Sequence, residues 1–272
     1  MKRTLISFLA AGLICFSGLS QQVDKSLSQF DNEKYDKEYF LIGMVNEIWR
    51  RHPYKGHQIV DYTTSKLDLK YFLFIDSLFS LDYSDITIVD NERGGGPFRV
   101  SSPTLSQKIG DFYIYEPTMR LNVYNEPMYN VRLKKERFET PKQKLSFLLG
   151  AYVRHGRKMD TLRSLISWYK SEGLLDVNKN FNNATNAILM SSIWDKENYY
   201  AEILTDFNCT DIEYIDIEMF PSMYWIFFVS SAKIQEVISY AEHLNEQIET
   251  INTNQVNFTT DGTKYIRERQ RP

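Results

Sequence analysis

Apolar residues along this chain follow two different periods, and the switch between them separates helical from extended stretches. Leu41, Met44, Val45, Ile48 and Trp49 recur at helical spacing, and Pro53 stops the segment after a basic turn of Arg50, Arg51 and His52. Residues 65–80 form a second predicted helix. It carries Leu67, Tyr71, Phe74, Ile75 and Leu78 on one face and Phe72, Leu73 and Phe79 on adjoining ones. A helix apolar over most of its circumference belongs in a core, so the chain is expected to open with a helix pair.

Between residues 85 and 138 the period becomes that of strands. Ile86–Val89, Phe112–Tyr115, Leu121–Tyr124 and Tyr129–Leu133 are short β-prone runs, separated by Arg93-Gly94-Gly95-Gly96-Pro97, Glu116-Pro117 and Asn125-Glu126-Pro127. Parallel strands need long crossovers, and there is no room for them. The stretch therefore reads as an antiparallel meander.

Thr140-Pro141-Lys142-Gln143 is the sharpest helix start in the chain, a capping box with proline at the first helical position. Leu145, Leu148, Leu149 and Tyr152 follow on one face, with Gly156 as a left-handed stop. Asp160 is expected to cap the next helix, which buries Leu162, Leu165, Ile166 and Tyr169 and ends at Gly173.

A strand at 186–192, a helix at 195–207, strands at 211–218 and 224–230 and a helix from Ser231 then give the order β-α-β-β-α. This is most of a ferredoxin-like unit with helices packed on one sheet face. The fold class expected is therefore α+β, with residues 21–272 as a single domain and any sub-domain boundary at 176–184. No internal repeat stands out, and Asp261-Gly262 is a candidate turn near the end.

The first twenty residues change the picture by suggesting an address. Lys2 and Arg3 precede a twelve-residue apolar run from Leu5 to Phe16, and Gly18-Leu19-Ser20 supplies small residues before Gln21. That is the layout of a signal peptide, too short to span a bilayer. Bulky Ile14 before Cys15 argues against a lipid anchor. Residues 67–81 form the most apolar later stretch but contain Asp68, Lys70 and Asp76. The expectation is an exported, periplasmic or secreted bacterial protein with no transmembrane segment.

Beyond Cys15 only Cys209 remains, so no internal disulfide can form, and the thiol reads as a small buried hydrophobe. Removing Lys2 and Arg3 from the 32 basic residues leaves 30 against 35 acidic, a formal charge of −5. A nucleic-acid partner is not expected from such a balance.

Candidate chemistry is sparse. The Gly94–Gly96 run lacks the Gly-Lys-Ser/Thr ending of a phosphate loop and reads as a hairpin turn, with Arg93 and Arg99 beside it as candidate anion ligands. His52, His57 and Asp61 share no regular element that would aim them at a metal. His155 lies in a basic helix end and His243 at a helix boundary. Ser230-Ser231-Ala232-Lys233 falls where a serine would cap a helix, not act as a nucleophile.

Asp211, Glu213, Asp216 and Glu218 would align as a weak metal or acid–base stripe only if a bulge at Tyr214 or Ile215 restored their register. No cofactor is implied, and no catalytic set emerges. Aromatic residues make up 14% of the chain. Tyr113, Tyr115, Tyr124 and Tyr129, with Tyr214 and Tyr224, are the candidate ligand-binding face of a sheet.

Such gross features resemble exported bacterial proteins, and no motif names a family. The expected function is non-enzymatic binding of a protein or glycan in the periplasm or outside the cell. The alternatives are an envelope hydrolase whose site assembles in three dimensions and an immunity-type protein that neutralises a toxin.

Overall fold

The computed structural model describes residues 30–45, 59–63, 66–79, 87–89, 98–121, 125, 127–176, 179, 181–191, 196–217 and 223–251. The leader and Cys15, the basic turn at 50–52, the glycine run and the Asp261-Gly262 turn lie outside the described residues. No described helix is long and apolar enough to cross a membrane.

The first half runs through α1 (Lys37–Met44), β1 (Ile59–Thr63), α2 (Lys66–Phe79), β2 (Thr87–Val89), β3 (Phe98–Ser101) and α3 (Pro103–Gly110). Asp36 starts α1 by accepting from the Glu38 and Tyr39 N–H groups, and Ser102 caps α3 ahead of Pro103. The strands form a sheet of order β1-β3-β2, with β3 antiparallel to both neighbours. Next come β4 (Tyr113–Leu121) and β5 (Pro127–Leu133), which pair with each other as a two-stranded ribbon. The expected meander is thus two separate structures, and Tyr113–Tyr115 and Leu121 belong to one continuous strand.

The second half holds α4 (Pro141–His155), β6 (Gly156–Lys158), α5 (Met159–Ser171), β7 (Asn186–Ser191), α6 (Lys196–Asp206), β8 (Thr210–Ile217), β9 (Met223–Val229) and α7 (Ala232–Glu249). The capping box at Thr140 is present as read, with the Gln143 N–H on Thr140 Oγ1 at 3.2 Å and the Thr140 N–H on Gln143 Oε1 at 2.8 Å. Two local expectations fail. Gly156 is extended, at φ −68° and ψ 143°, because the chain enters β6 there without turning. Helix α5 already begins at Met159, so Asp160 lies inside its first turn and Lys158 holds the cap position without a side-chain bond.

The α+β class holds. Strand β9 lies between β7 and β8 in the order β6-β7-β9-β8, all antiparallel. The expected one-faced packing does not hold, because alternate residues of these strands feed two cores. Ile188, Met190, Ile226 and Phe228 join the core formed with α4, α6 and α7. Ala187, Trp225, Phe227, Ile215 and Ile217 pack with Met159, Leu162, Ile166 and Tyr169 of α5 and with Phe181. The fourth sheet position goes to β6, which precedes the β-α-β-β-α unit. Strands buried on both faces read as continuous apolar runs, as Tyr224–Val229 does.

The expected absence of a repeat is also corrected. The first half places β1, α2, the β2–β3 hairpin and α3 after leading helix α1. The second places β7, α6, the β8–β9 hairpin and α7 after α4, with β6 and α5 inserted, and in both the last of these three strands sits between the other two. The leading helices α1 and α4 pack on each other. Asp36 N–H donates to Ser146 Oγ at 2.7 Å, Lys142 Nζ to the Asn32 carbonyl at 2.8 Å, and Arg154 Nη1 to the Met44 carbonyl at 3.2 Å. All three bonds join residues 110 positions apart. A constant separation means that the two helices run parallel and in step. Phe40-Leu41-Ile42-Gly43 and Phe147-Leu148-Leu149-Gly150 are the trace of this duplication in the sequence.

Candidate functional site

Parallel helices bring their carbonyl ends together, and two like dipole ends side by side are unfavourable unless positive charge meets them. Here three side chains supply donors to four successive carbonyls at the end of α1. Lys196 Nζ donates to the carbonyls of Ile42 at 2.6 Å and Val45 at 3.1 Å. Tyr200 Oη donates to the Gly43 carbonyl at 3.2 Å, and Arg154 Nη1 takes that of Met44. Lys196 and Tyr200 are one turn apart on α6, so a single helix face delivers both.

Lys196 is 0% exposed, and its ammonium lies 5.9 Å from the ring centres of both Tyr113 and Phe147. Arg154 lies over the Phe72 ring at 5.4 Å. His155 completes the group. Its Nε2 is buried with no hydrogen-bond partner among the described residues. Burial, and then the charges of Arg154, Arg157 and Lys196, hold its pKa well below the ordinary histidine value. The cations here are engaged in closing a helix end.

The remaining sequence candidates are scattered. Asp61 is a residue of β1, in register with Val100, while His52 and His57 lie outside the described residues. His243 stands on the exposed side of α7, with its Nε2 3.0 Å from Gln247 Nε2. Ser231 caps α7 and Lys233 pairs with Glu236, so the Ser-x-x-Lys match is a helix start.

The bulge in β8 lies between Thr210 and Glu213, not at Tyr214 or Ile215, and Asp211 takes φ 49° there. Glu213 and Asp216 therefore fall on opposite faces, Glu213 pairs with Lys179, and Glu218 lies outside the described residues. No group of three or more potential metal-ligating side chains occurs among the described residues. Cys209 is buried, and burial raises its pKa.

The tyrosine face is not a face. Tyr113 is 2% exposed and belongs to the core beside Lys196. Tyr115 and Tyr129 are half-buried and meet each other edge to face at 6.2 Å. Tyr124 and Arg93 lie outside the described residues, and Arg99 is the middle register partner of Tyr62 and Val89 in β3. Tyr214 on β8 is exposed and Tyr224 on β9 is half-buried, with ring centres 6.0 Å apart, in a different sheet from Tyr113, Tyr115 and Tyr129, so the candidates share no single face.

The ribbon reaches solvent through other residues. Its base is fixed by Tyr113, Val131 and Leu133, which are buried, whereas β4 from Glu116 onward is largely exposed. Pro117 faces Tyr129 and Leu121 faces Pro127, so Thr118, Met119 and Arg120 form a bulge on β4. Met119 is fully exposed and Leu121 is 57% exposed. Asn125 takes the left-handed φ of 61° in the turn. The five residues beyond Glu116 extend about 15 Å at the usual strand rise. Sequence reading passed over Met119; its signal was an apolar pair at i, i+2 between two strand prolines.

No protein-family model and no curated protein matches the chain. Among solved structures it is similar to full-length DUF199/WhiA from Thermatoga maritima, at 12% identity and a TM-score of 0.38, over 85% of this chain and 67% of that one. A likeness of this degree assigns neither activity nor partner. The expectation of an exported, periplasmic or secreted non-enzymatic binder holding a protein or glycan on a tyrosine face is withdrawn, because Tyr113 lies in the core and the leader lies outside the described residues. The exclusion of nucleic acid is withdrawn with it.

Proposed function

We propose that the protein works by docking the β4–β5 arm onto another macromolecule, while the duplicated body holds the arm's base. The observation that carries this reading is the gradient along one nine-residue strand, from Tyr113 in the core to Met119 and Leu121 in solvent. An isolated two-stranded ribbon is marginal in water, and the buried base supports this one. Burying one large aliphatic side chain is worth roughly 1.5–3 kcal/mol, so the tip holds a reward that the free protein does not collect. Pro117 and Pro127 lack N–H groups, which disfavours edge pairing and leaves side-chain recognition as the mode.

The test is a photo-crosslinking residue placed at Met119, at Leu121, or at exposed Ser239 on α7 as a control, in the full chain inside the producing cell. Discrete adducts from the two arm positions and none from the control support the arm. Identical patterns from all three positions, or no adduct from any, contradict it.

A further inference from the structure

We infer that the arm's partner is a second copy of this chain, with the C-terminal end of α5 as the seat; this rests on the arm reading above. Large hydrophobic side chains standing exposed among the described residues fall in few places: Met119 and Leu121 on the arm, Trp168 and Leu174 at the end of α5, and Tyr214 on β8. Exposed apolar groups gathered in a patch and rimmed by charge mark contact surfaces.

One exposed charge on each surface is opposite in sign, Arg120 on the arm and Glu172 at the α5 end. Arg120 stands exposed between Met119 and Leu121, with no ion-pair partner among the described residues. Glu172 is exposed one turn after Trp168, and its N–H donates to the Trp168 carbonyl at 3.0 Å, so the indole and the carboxylate share a helix face. Neighbouring Lys170 points elsewhere, onto the Lys179 carbonyl and the Phe181 ring.

The two surfaces match group by group. A thioether packs well on an indole, a guanidinium recognises a carboxylate and also stacks on an aromatic face, and Leu121 offers a mate for Leu174. Arm and seat are different surfaces of one chain. Two reciprocal contacts therefore close a dimer, and a contact that does not reciprocate continues into longer assemblies.

Sedimentation velocity of the full chain, from micromolar to millimolar, tests this alongside the adduct mass from the crosslinker at Met119. The expected result is concentration-dependent association, weakened about tenfold or more by Met119→Ser and by Trp168→Ser, as for central contact residues. Arg120→Glu and Glu172→Arg should each weaken it, and the two together should restore it.

An adduct of twice the chain mass supports the second copy. A chain that stays monomeric, or association lost with Met119→Ser and kept with Trp168→Ser, overturns it. An adduct at position 119 of any other mass, nucleic acid included, also overturns the second copy while leaving the arm reading standing. No adduct at all sinks both.

Discussion

Gly43 and Gly150 face each other across the seam between α1 and α4, each against the other helix's backbone. A methyl group on Gly43 would lie 1.9 Å from the Phe147 carbonyl oxygen, and one on Gly150 would lie 1.9 Å from that of Phe40. The symmetry follows from the parallel, in-step pairing of two equivalent helices. Neither backbone can yield without moving a whole helix.

Helix propensity alone favours alanine over glycine by about 1 kcal/mol. Overpacking a rigid seam typically costs about 1–3 kcal/mol and occasionally more. Gly43→Ala and Gly150→Ala are each expected to destabilise the protein by about 2 kcal/mol or more in urea unfolding. A neutral or stabilising result for either would contradict the close helix contact.

Lys196→Met keeps the length of the side chain and removes the ammonium from the Ile42 and Val45 carbonyls. A buried acceptor left unsatisfied costs roughly 1–3 kcal/mol. The expected loss is therefore several times that of Lys233→Met, which breaks an exposed pair with Glu236 and should change stability by no more than about 0.5 kcal/mol. Equal effects in chemical denaturation would show that Lys196 is no cap.

His155 gives the fold an acid limit. Its folded pKa lies well below the ordinary 6.5, first through burial and then through Arg154, Arg157 and Lys196. As pH falls below 6.5 the unfolded chain takes up the proton first, so stability declines with falling pH. His155→Gln should flatten that part of the profile, read from urea midpoints between pH 7 and 5. An unchanged slope in the variant would show that another group sets the acid limit.

Elements whose signals are local were legible in the sequence. Thr140, Pro141 and Gln143 specify the start of α4 by themselves, and Ser231 does the same for α7. The run Tyr224–Val229 was legible as a strand, but its burial on both sides was not, because what covers each side is set by residues far away in sequence. Helix α5 looked like one more amphipathic helix, and nothing in its period told which sheet face it would cover. The duplication left three identical residues and one Ile/Leu pair at each leading helix, too few to notice before the three bonds of constant separation showed the halves in step. The arm was missed for the opposite reason: exposure of Met119 is a property of what fails to pack against it, which no pattern of residue types records.

Amide hydrogen exchange across residues 113–133 of the free protein tests the central claim most directly. Slow exchange is expected at the base, where Tyr113, Val131 and Leu133 are buried, and fast exchange from Thr118 to Leu121. Uniform slow exchange along the whole ribbon would contradict it, since the ribbon would then be packed against the body with no free arm to dock.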